Sequence, residues 1–390
     1  MADFKQIAEL VNLTTQEVLG ETAAPMLEDL SNVVDFGITL QNSDVENKFL
    51  TNFVDRIGRV VVYDRVYKSS TNLGIYKDNL EYGTMLQRMM INELPEADEN
   101  ETYELQDGAS VDPFVVKLPK ASAKYYNKRN AWEIDMTILD RQYRSAFTSP
   151  SALAAFVAMV FNAVENSRTL KVETLQKAIL RSAIATTLKN DIPAGNYSAT
   201  STIRAVNLLK LYNDEANAGT DLTVAEALIS RDFLKFASKT INEYVRAMKD
   251  MSTLYNIEGA ARFTPEDKMH LTVLGKFADA AQFYLEADTW HNNLVALPGY
   301  GTIDNWQATG NDRSFANLSK INVKNADGDT VEAGGIVGVI YDSDGMGVTC
   351  ENYRVLSQRN EKGEYTNYFW KAEFASTCYK DMNLVVFFLA

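Results

Sequence analysis

Chemistry near neutral pH leans on few side chains: His as proton carrier, Cys or Ser as activated nucleophile, His/Cys/carboxylate clusters around a metal, or glycine loops around phosphate. The chain holds two histidines, His270 and His291, and two cysteines, Cys350 and Cys378. No HExxH or CxxC spacing accompanies them, so a transition-metal site would have to be built almost wholly from carboxylates. A Ser-His-acid triad would have to form over long range. Gly299, Gly301 and Asp304 begin like a dinucleotide fingerprint but put an acid where the third glycine belongs. Gly275-Lys276 sits between a strand-like run and a helix, as a Walker loop would, yet His270 stands where that loop needs its first glycine. Asp342-Ser343-Asp344-Gly345 and Asn325-Ala326-Asp327-Gly328-Asp329 have calcium-loop spacing without a Glu at the twelfth position, and read as hairpin turns. These residues predict a protein that is not an enzyme, with no cofactor and no metal.

Composition points the same way. The 390 residues are 46% hydrophobic and 23% charged, with 52 acidic against 38 basic side chains and a net charge of −14. That is an ordinary globular composition with length for two or three folded units at roughly 150 residues each. The acidic excess argues against a dedicated nucleic-acid binder, since phosphate affinity needs clustered Lys and Arg. Asp3, Glu9 and Glu17 interrupt the first residues, unlike a secretory signal. The longest apolar stretches, 152–164 and 384–390, fall short of the roughly 20 residues that span a bilayer, so no membrane association is expected. Two cysteines suit a reducing compartment better than a disulfide scaffold.

Helical spacing of Phe4, Ile7, Leu10 and Val11, then of Val45, Phe49, Phe53 and Ile57, predicts two N-terminal helices, the second opened by the capping box Ser43-x-x-Glu46 and closed at Gly58. A strand over 60–63 follows, then a long excursion that includes 82–92 and returns through Phe114, Val116 and Leu118. Trp132, Ile134, Met136 and Ile138 alternate with Glu133, Asp135 and Thr137, a strand with one wet face. Ser149-Pro150 caps a helix carried by Leu153, Phe156, Val157, Val160, Phe161 and Val164 and continued by Leu175, Ile179, Ile184 and Leu188. It runs on the order of 55 Å to a stop at 190–195. Phe233, Ala237, Ile241, Tyr244 and Met248 mark another helix, 270–274 a strand, and Phe277, Ala281 and Tyr284 a further helix. Strands at 336–341, 365–374 and 382–389 end the chain, with a hairpin turn at 360–363.

This order resembles the Hong Kong 97-type fold of tailed-phage major capsid proteins. The segment Asn47-Lys48-Phe49-Leu50-Thr51-Asn52-Phe53-Val54-Asp55-Arg56-Ile57-Gly58 resembles the arm-to-loop segment of coat proteins from short-tailed phi-29-type phages. Leu118-Pro119, Asn127-Lys128-Arg129, the alternating strand, the lead into the long helix and the tail over 365–389 follow the same family's order. The resemblance covers nearly the whole chain. It implies an α+β fold with an N-terminal arm (1–59), an extended E-loop (60–124), a peripheral domain with a long spine helix (125–195), an axial domain (196–345) and closing strands of the peripheral domain (346–390). It further implies a shell of hexamers and pentamers of this chain, forming in the host cytoplasm and persisting in the virion. A separate scaffolding protein, a portal protein and weakly, non-specifically held double-stranded DNA would be its partners. Neither a cleavable scaffolding segment before the arm nor a C-terminal immunoglobulin-like domain is expected. An encapsulin-type compartment shell shares the fold, and a soluble α/β enzyme is the reading from another class.

An excursion of about 60 residues cannot bury both faces on its own subunit and gains by lying on a neighbour. Its charges are segregated. Glu93, Glu96, Asp98, Glu99, Glu101, Glu104 and Asp107 form a run without a base, and Lys117, Lys120, Lys124, Lys128 and Arg129 one without an acid. Glu93, Glu96, Glu99, Glu101 and Glu104 with Lys117, Lys120, Lys124, Lys128 and Arg129 are the interface candidates, alongside pairing within one hairpin and plain solvation. Arg168, Lys171, Lys177 and Arg181 lie along the long helix, facing either solvent or packaged DNA.

Overall fold

A computed structural model of the chain describes residues 4–19, 49, 52, 73–75, 86–91, 110, 114, 121–126, 129–142, 150–215, 219–286, 300–307, 312–325 and 328–390. Helix α1 (Phe4–Leu19) buries Ala8, Val11 and Thr15, one stripe at helical spacing. Of the second predicted helix, Phe49 and Asn52 are described, both helical, with Phe49 fully buried. The predicted strand over 60–63 lies outside the described residues. Strands β1 (Leu86–Ile91) and β2 (Ala121–Tyr126) pair antiparallel, Leu86 opposite Tyr126 and Ile91 opposite Ala121. The return strand expected through Phe114 is corrected at that residue. Phe114 lies in a turn and is 84% exposed, and the strand partnering β1 starts seven residues later, at Ala121.

Strand β3 (Arg129–Leu139) and helix α2 (Pro150–Asp191) follow. With 42 residues, α2 extends roughly 63 Å, longer than its apolar spacing alone suggested. Every residue over 183–188 is buried, the mark of a helix enclosed on all sides. It ends at Asp191, beyond which Gly195 takes a φ of +71° and donates its amide to Ile192 O. That left-handed conformation, which glycine adopts without strain, turns the chain away after the helix end.

Between 205 and 342 lie β4 (Ala205–Asn207), α3 (Leu208–Glu215), α4 (Val224–Ala227), α5 (Arg231–Ala247), β5 (Met269–Leu274), α6 (Gly275–Glu286), β6 (Gly301–Ile303), α7 (Phe315–Leu318), β7 (Ile321–Lys324), β8 (Thr330–Ala333) and β9 (Ile336–Asp342). The chain then enters β10 (Met346–Asn360), β11 (Tyr365–Cys378) and β12 (Leu384–Phe388). One five-stranded sheet has the order β4-β12-β9-β5-β6, and a three-stranded antiparallel sheet the order β10-β11-β3. All seven residues of β9 are buried, as are Val385 to Phe388 of β12. Strands covered on both faces read as unbroken apolar runs for this reason. In β11 the burial alternates, with Thr366, Tyr368, Trp370, Ala372 and Phe374 inward.

Two Asp- and Gly-containing turns differ in what they connect. β7 and β8 pair antiparallel on either side of 325–329, where Gly328 has φ +95° and Asp329 N donates to Asn325 Oδ1 at 2.8 Å. Residues 342–345 do not form a hairpin. Asp342 accepts the Asp344 amide at 2.8 Å, and the short 3-10 turn carries the chain from the five-stranded sheet into the three-stranded one. The 346–390 segment also divides: β10 and β11 lie beside β3, whereas β12 pairs with β4 and β9. Phe387 faces a core in which Tyr244 meets it edge-on at 5.5 Å.

Candidate intersubunit surfaces

The β1–β2 hairpin is fastened to the body at its root. Arg88 of β1 reaches Asp381 Oδ2 at 3.1 Å, and Arg262 reaches the same oxygen at 3.2 Å. The Asp381 side chain is 2% exposed. The Arg88 guanidinium also lies 4.1 Å over the Tyr379 ring. A buried carboxylate bridging two guanidiniums is a positional device, because removing one partner leaves a desolvated charge behind. Lys124 of β2 adds an ion pair to Glu258.

That pair locates one of the predicted interface residues: Lys124 is satisfied within its own chain. Arg129 opens β3, its backbone opposite Ala375. Glu93, Glu96, Glu99, Glu101, Glu104, Lys117, Lys120 and Lys128 lie outside the described residues.

Before the hairpin the chain passes through the core at Leu73-Gly74-Ile75. Leu73 and Ile75 are 2% and 0% exposed. Tyr341 Oη donates to Leu73 O at 2.8 Å, and Val348 N donates to Ile75 O at 3.0 Å. Gly74 has φ +63°, and a Cβ there would stand 2.5 Å from His270 Nε2. His270 itself stacks on Tyr341 at 5.8 Å. The imidazole therefore packs against the segment that crosses at Gly74. Burial pushes the Tyr341 hydroxyl well above the ordinary phenol range, against a weaker opposing hydrogen bond with Thr272, so it serves as a neutral donor. His291 lies outside the described residues.

The long-helix cations do not form a common basic stripe. Arg168 lies 5.7 Å over the Tyr353 ring of β10. Arg181 donates to Trp306 O at 3.0 Å and to Lys177 O at 3.1 Å, and burial lowers its pKa. Lys171 is exposed beside Leu170, which is 66% exposed. Cys350 and Cys378 are free thiols, and burial pushes Cys378 up to about 11, with the Lys380 charge pulling weakly the other way. A thiol held so high is a poor nucleophile. Among the described residues no group of three or more His, Cys, Asp or Glu is placed to hold a metal, and no helix is long and apolar enough to cross a membrane.

Two further features were not legible beforehand. Arg359 forks onto Asp140 at 3.0 and 2.8 Å, tying the far end of β10 to the residue after β3. This hydrogen bonding raises the Arg359 pKa. The connection from α5 to β5 exposes Met251, Leu254 and Phe263 at 53%, 53% and 49%.

A family model described as Phi29-like phage major capsid protein matches residues 11–388. The chain is 22% identical over 344 residues to the major capsid protein of Bacillus phage GA-1, covering 88% of this chain and 61% of that protein. It is 21% identical over 366 residues to the major capsid protein of Bacillus phage PZA, covering 93% and 68%. The match thus spans about three fifths of the GA-1 protein's length. A solved capsid structure of Staphylococcus phage Andhra is similar at 9% identity and a TM-score of 0.48, over 84% of this chain and 86% of that one.

Proposed function

This chain belongs to the Phi29-like phage major capsid protein family, and from that premise we propose that it is a major capsid protein whose copies assemble into the shell around a tailed phage's double-stranded DNA. The family match over 11–388 carries this reading. The family is one of structural proteins, and neither the compartment-shell nor the enzyme alternative gains support from it.

The finer reading is a Hong Kong 97-type organisation. The arm would be 1–59, the E-loop 60–124, the peripheral domain 125–195 with α2 as its spine, the axial domain 196–345, and 346–390 the closing strands. What supports it is the order of the elements: a hairpin held by a root clamp, one very long helix, a mixed sheet domain and long terminal strands. Hexamers and pentamers of the chain would be the building units, with a separate scaffolding protein, a portal protein and weakly held DNA as partners in a virion formed in the host cytoplasm. The acidic run that follows β1 and the basic run that leads through β2 would add orientation between neighbours more than affinity. Repeated contacts of about 800 Å² per partner, each modest, then hold a closed container.

Purified chain, alone and with the candidate scaffolding protein from the same genome, is the test. Sedimentation and electron microscopy should find closed shells of megadalton size. A chain that remains a monomer or small oligomer under every condition overturns the reading.

A further inference from the structure

The three-stranded sheet ends in two long strands, and its hydrogen bonds fix which backbone groups each outer edge leaves unused. Asp140 N donates to Glu364 O at 3.0 Å, in line with the β3–β11 register, so the even-numbered residues of β3 bond to β11. Ala131, Glu133, Asp135 and Thr137 therefore turn their N–H and C=O groups away from the sheet, and all four residues are exposed. Leu139 N, on the same edge, donates to the Gln142 side chain at 3.2 Å. No proline, glycine or bulge interrupts β3, although these are the devices that bend or break such edges.

The outer edge of β10 is divided. Val348 N donates to Ile75 O at 3.0 Å, so the chain's own 73–75 segment meets its first half, and the register shift between Glu351 and Arg354 breaks the line. Because the even-numbered residues of β11 bond to β3, its odd-numbered ones bond to β10, at Arg354, Leu356, Gln358 and Asn360. Val355, Ser357 and Arg359 then turn their backbone groups outward. The edge strands of the five-stranded sheet, β4 and β6, have three residues each. Among the described residues the two larger sheets thus keep two long open edges, 131–137 and 354–360, on opposite sides of one sheet.

The two edges differ in charge. The outer face of 131–137 carries Glu133 and Asp135 and no base, whereas that of 354–360 carries Arg354 and no acid. Lys371 answers Glu133 at 3.0 Å, but Asp135 has no ion-pair partner among the described residues. The Arg354 side chain is 54% exposed and reaches Glu373 at 3.9 Å. Two β3 edges would set carboxylates against each other, which is destabilising. A β3 edge beside a β10 edge sets acid beside base, and gives the half-exposed Leu356 a neighbour on its open side. We propose that the edge 131–137 of β3 pairs through its backbone with the edge 354–360 of β10 in a second copy of this chain, continuing the sheet from copy to copy. Strand addition of this kind takes affinity from main-chain hydrogen bonds and specificity from the side chains beside them. Because β3 and β10 both run antiparallel to β11, the continued sheet joins them in parallel. The contact is head-to-tail, and such contacts generate rings when the rotation between copies closes. The proposal rests on the shell reading and specifies one of its interfaces.

Asp135→Pro and Ser357→Pro test it, since each removes an outward amide and spares the hydrogen bonds to β11. As unassembled protein both variants should keep the wild-type circular dichroism spectrum and a cooperative melt, and should lose at least about tenfold in yield of sedimenting shells. A photo-crosslinking amino acid at position 135 of otherwise wild-type shells should give a covalent product of twice the 43.6 kDa chain mass, with the crosslink mapped by mass spectrometry to 354–360. This second measurement decides the matter if a proline variant fails to fold. Folded variants that assemble at wild-type yield overturn the proposal while leaving the shell reading intact. So does the absence of a product of doubled mass, or a crosslink that falls in the 86–126 hairpin region, in another β3 or on a chain of another mass. Wild-type chain that never sediments overturns the shell reading, and this proposal with it.

Discussion

The five-stranded sheet and the three-stranded sheet solve burial differently. In the first, β9 is buried at all seven positions and β12 at its last four, so no face of these central strands is left for a partner. In the second, Tyr368, Trp370, Ala372 and Phe374 turn inward and their neighbours turn out. The outward face is bound by polar pairs across strands: Lys371 with Glu133 at 3.0 Å, Thr137 with Asn367 at 2.7 Å, and Arg354 with Glu373 at 3.9 Å. Exposed pairs of this kind contribute little to stability but keep a sheet soluble and in register. The difference teaches that the molecule has one self-sufficient layer and one layer, with the hairpin attached near it, whose outer surfaces are conditioned for water or for a neighbour.

The contrast breaks most readily in the closed layer. Phe387 is 0% exposed and meets Tyr244 edge-on at 5.5 Å. Phe387→Ala should cost about 3–5 kcal/mol, read as a lower urea midpoint at unchanged slope. A cost below about 1 kcal/mol would mean that this layer is not closed.

Next in size is the hairpin root. Asp381→Asn removes the charge that two guanidiniums share and should cost about 2–3 kcal/mol, felt locally. Amides of β1 and β2 should then exchange with deuterium about 30–160-fold faster while those of β9 and β12 keep their protection. Loss of protection in step at all four strands would merge the two regions into one cooperative unit.

Sequence patterning reached the closed layer through its unbroken apolar runs, and β3 and α5 through their periods. The alternation through Trp132, Ile134, Met136 and Ile138 placed β3, and the stripe Phe233, Ala237 and Ile241 placed α5. β10 escaped because its pairing with β11 shifts register between Glu351 and Arg354. Val348 and Cys350 point inward before the shift, and the inward phase changes after it, so the period-two signal cancels over the strand. The hairpin root was illegible for another reason. Arg262 and Asp381 are 119 residues apart, and nothing local in either segment announces the pairing. The same holds for Leu73-Gly74-Ile75, whose burial depends on His270 and Tyr341 far along the chain. Of the charge runs, Lys124 pairs with Glu258 of its own chain.

A smaller effect is expected where the open layer is tied along its length. Arg359→Ala removes the fork onto Asp140, a residue 7% exposed, and should cost about 1–2 kcal/mol. Arg359→Lys should recover less than half of that, because an ammonium cannot make both contacts at once. Full recovery in a thermal melt would reduce the contact to a point-charge attraction.

The smallest effect sharpens the comparison most, because it separates exposure in the single chain from burial in an assembly. Leu356 of β10 is 47% exposed and stands opposite Phe369 on β11. Were the outer face of this sheet finished in the single chain, a leucine there would bury most of its surface and its loss would cost several kcal/mol, as in the other layer. Half exposed, it has little to lose, and Leu356→Ser should change the stability of the unassembled chain by no more than about 0.5 kcal/mol. A cost above about 1 kcal/mol in chemical denaturation would mean that the face is covered by the chain's own residues, and the distinction between a closed and an open layer would fall.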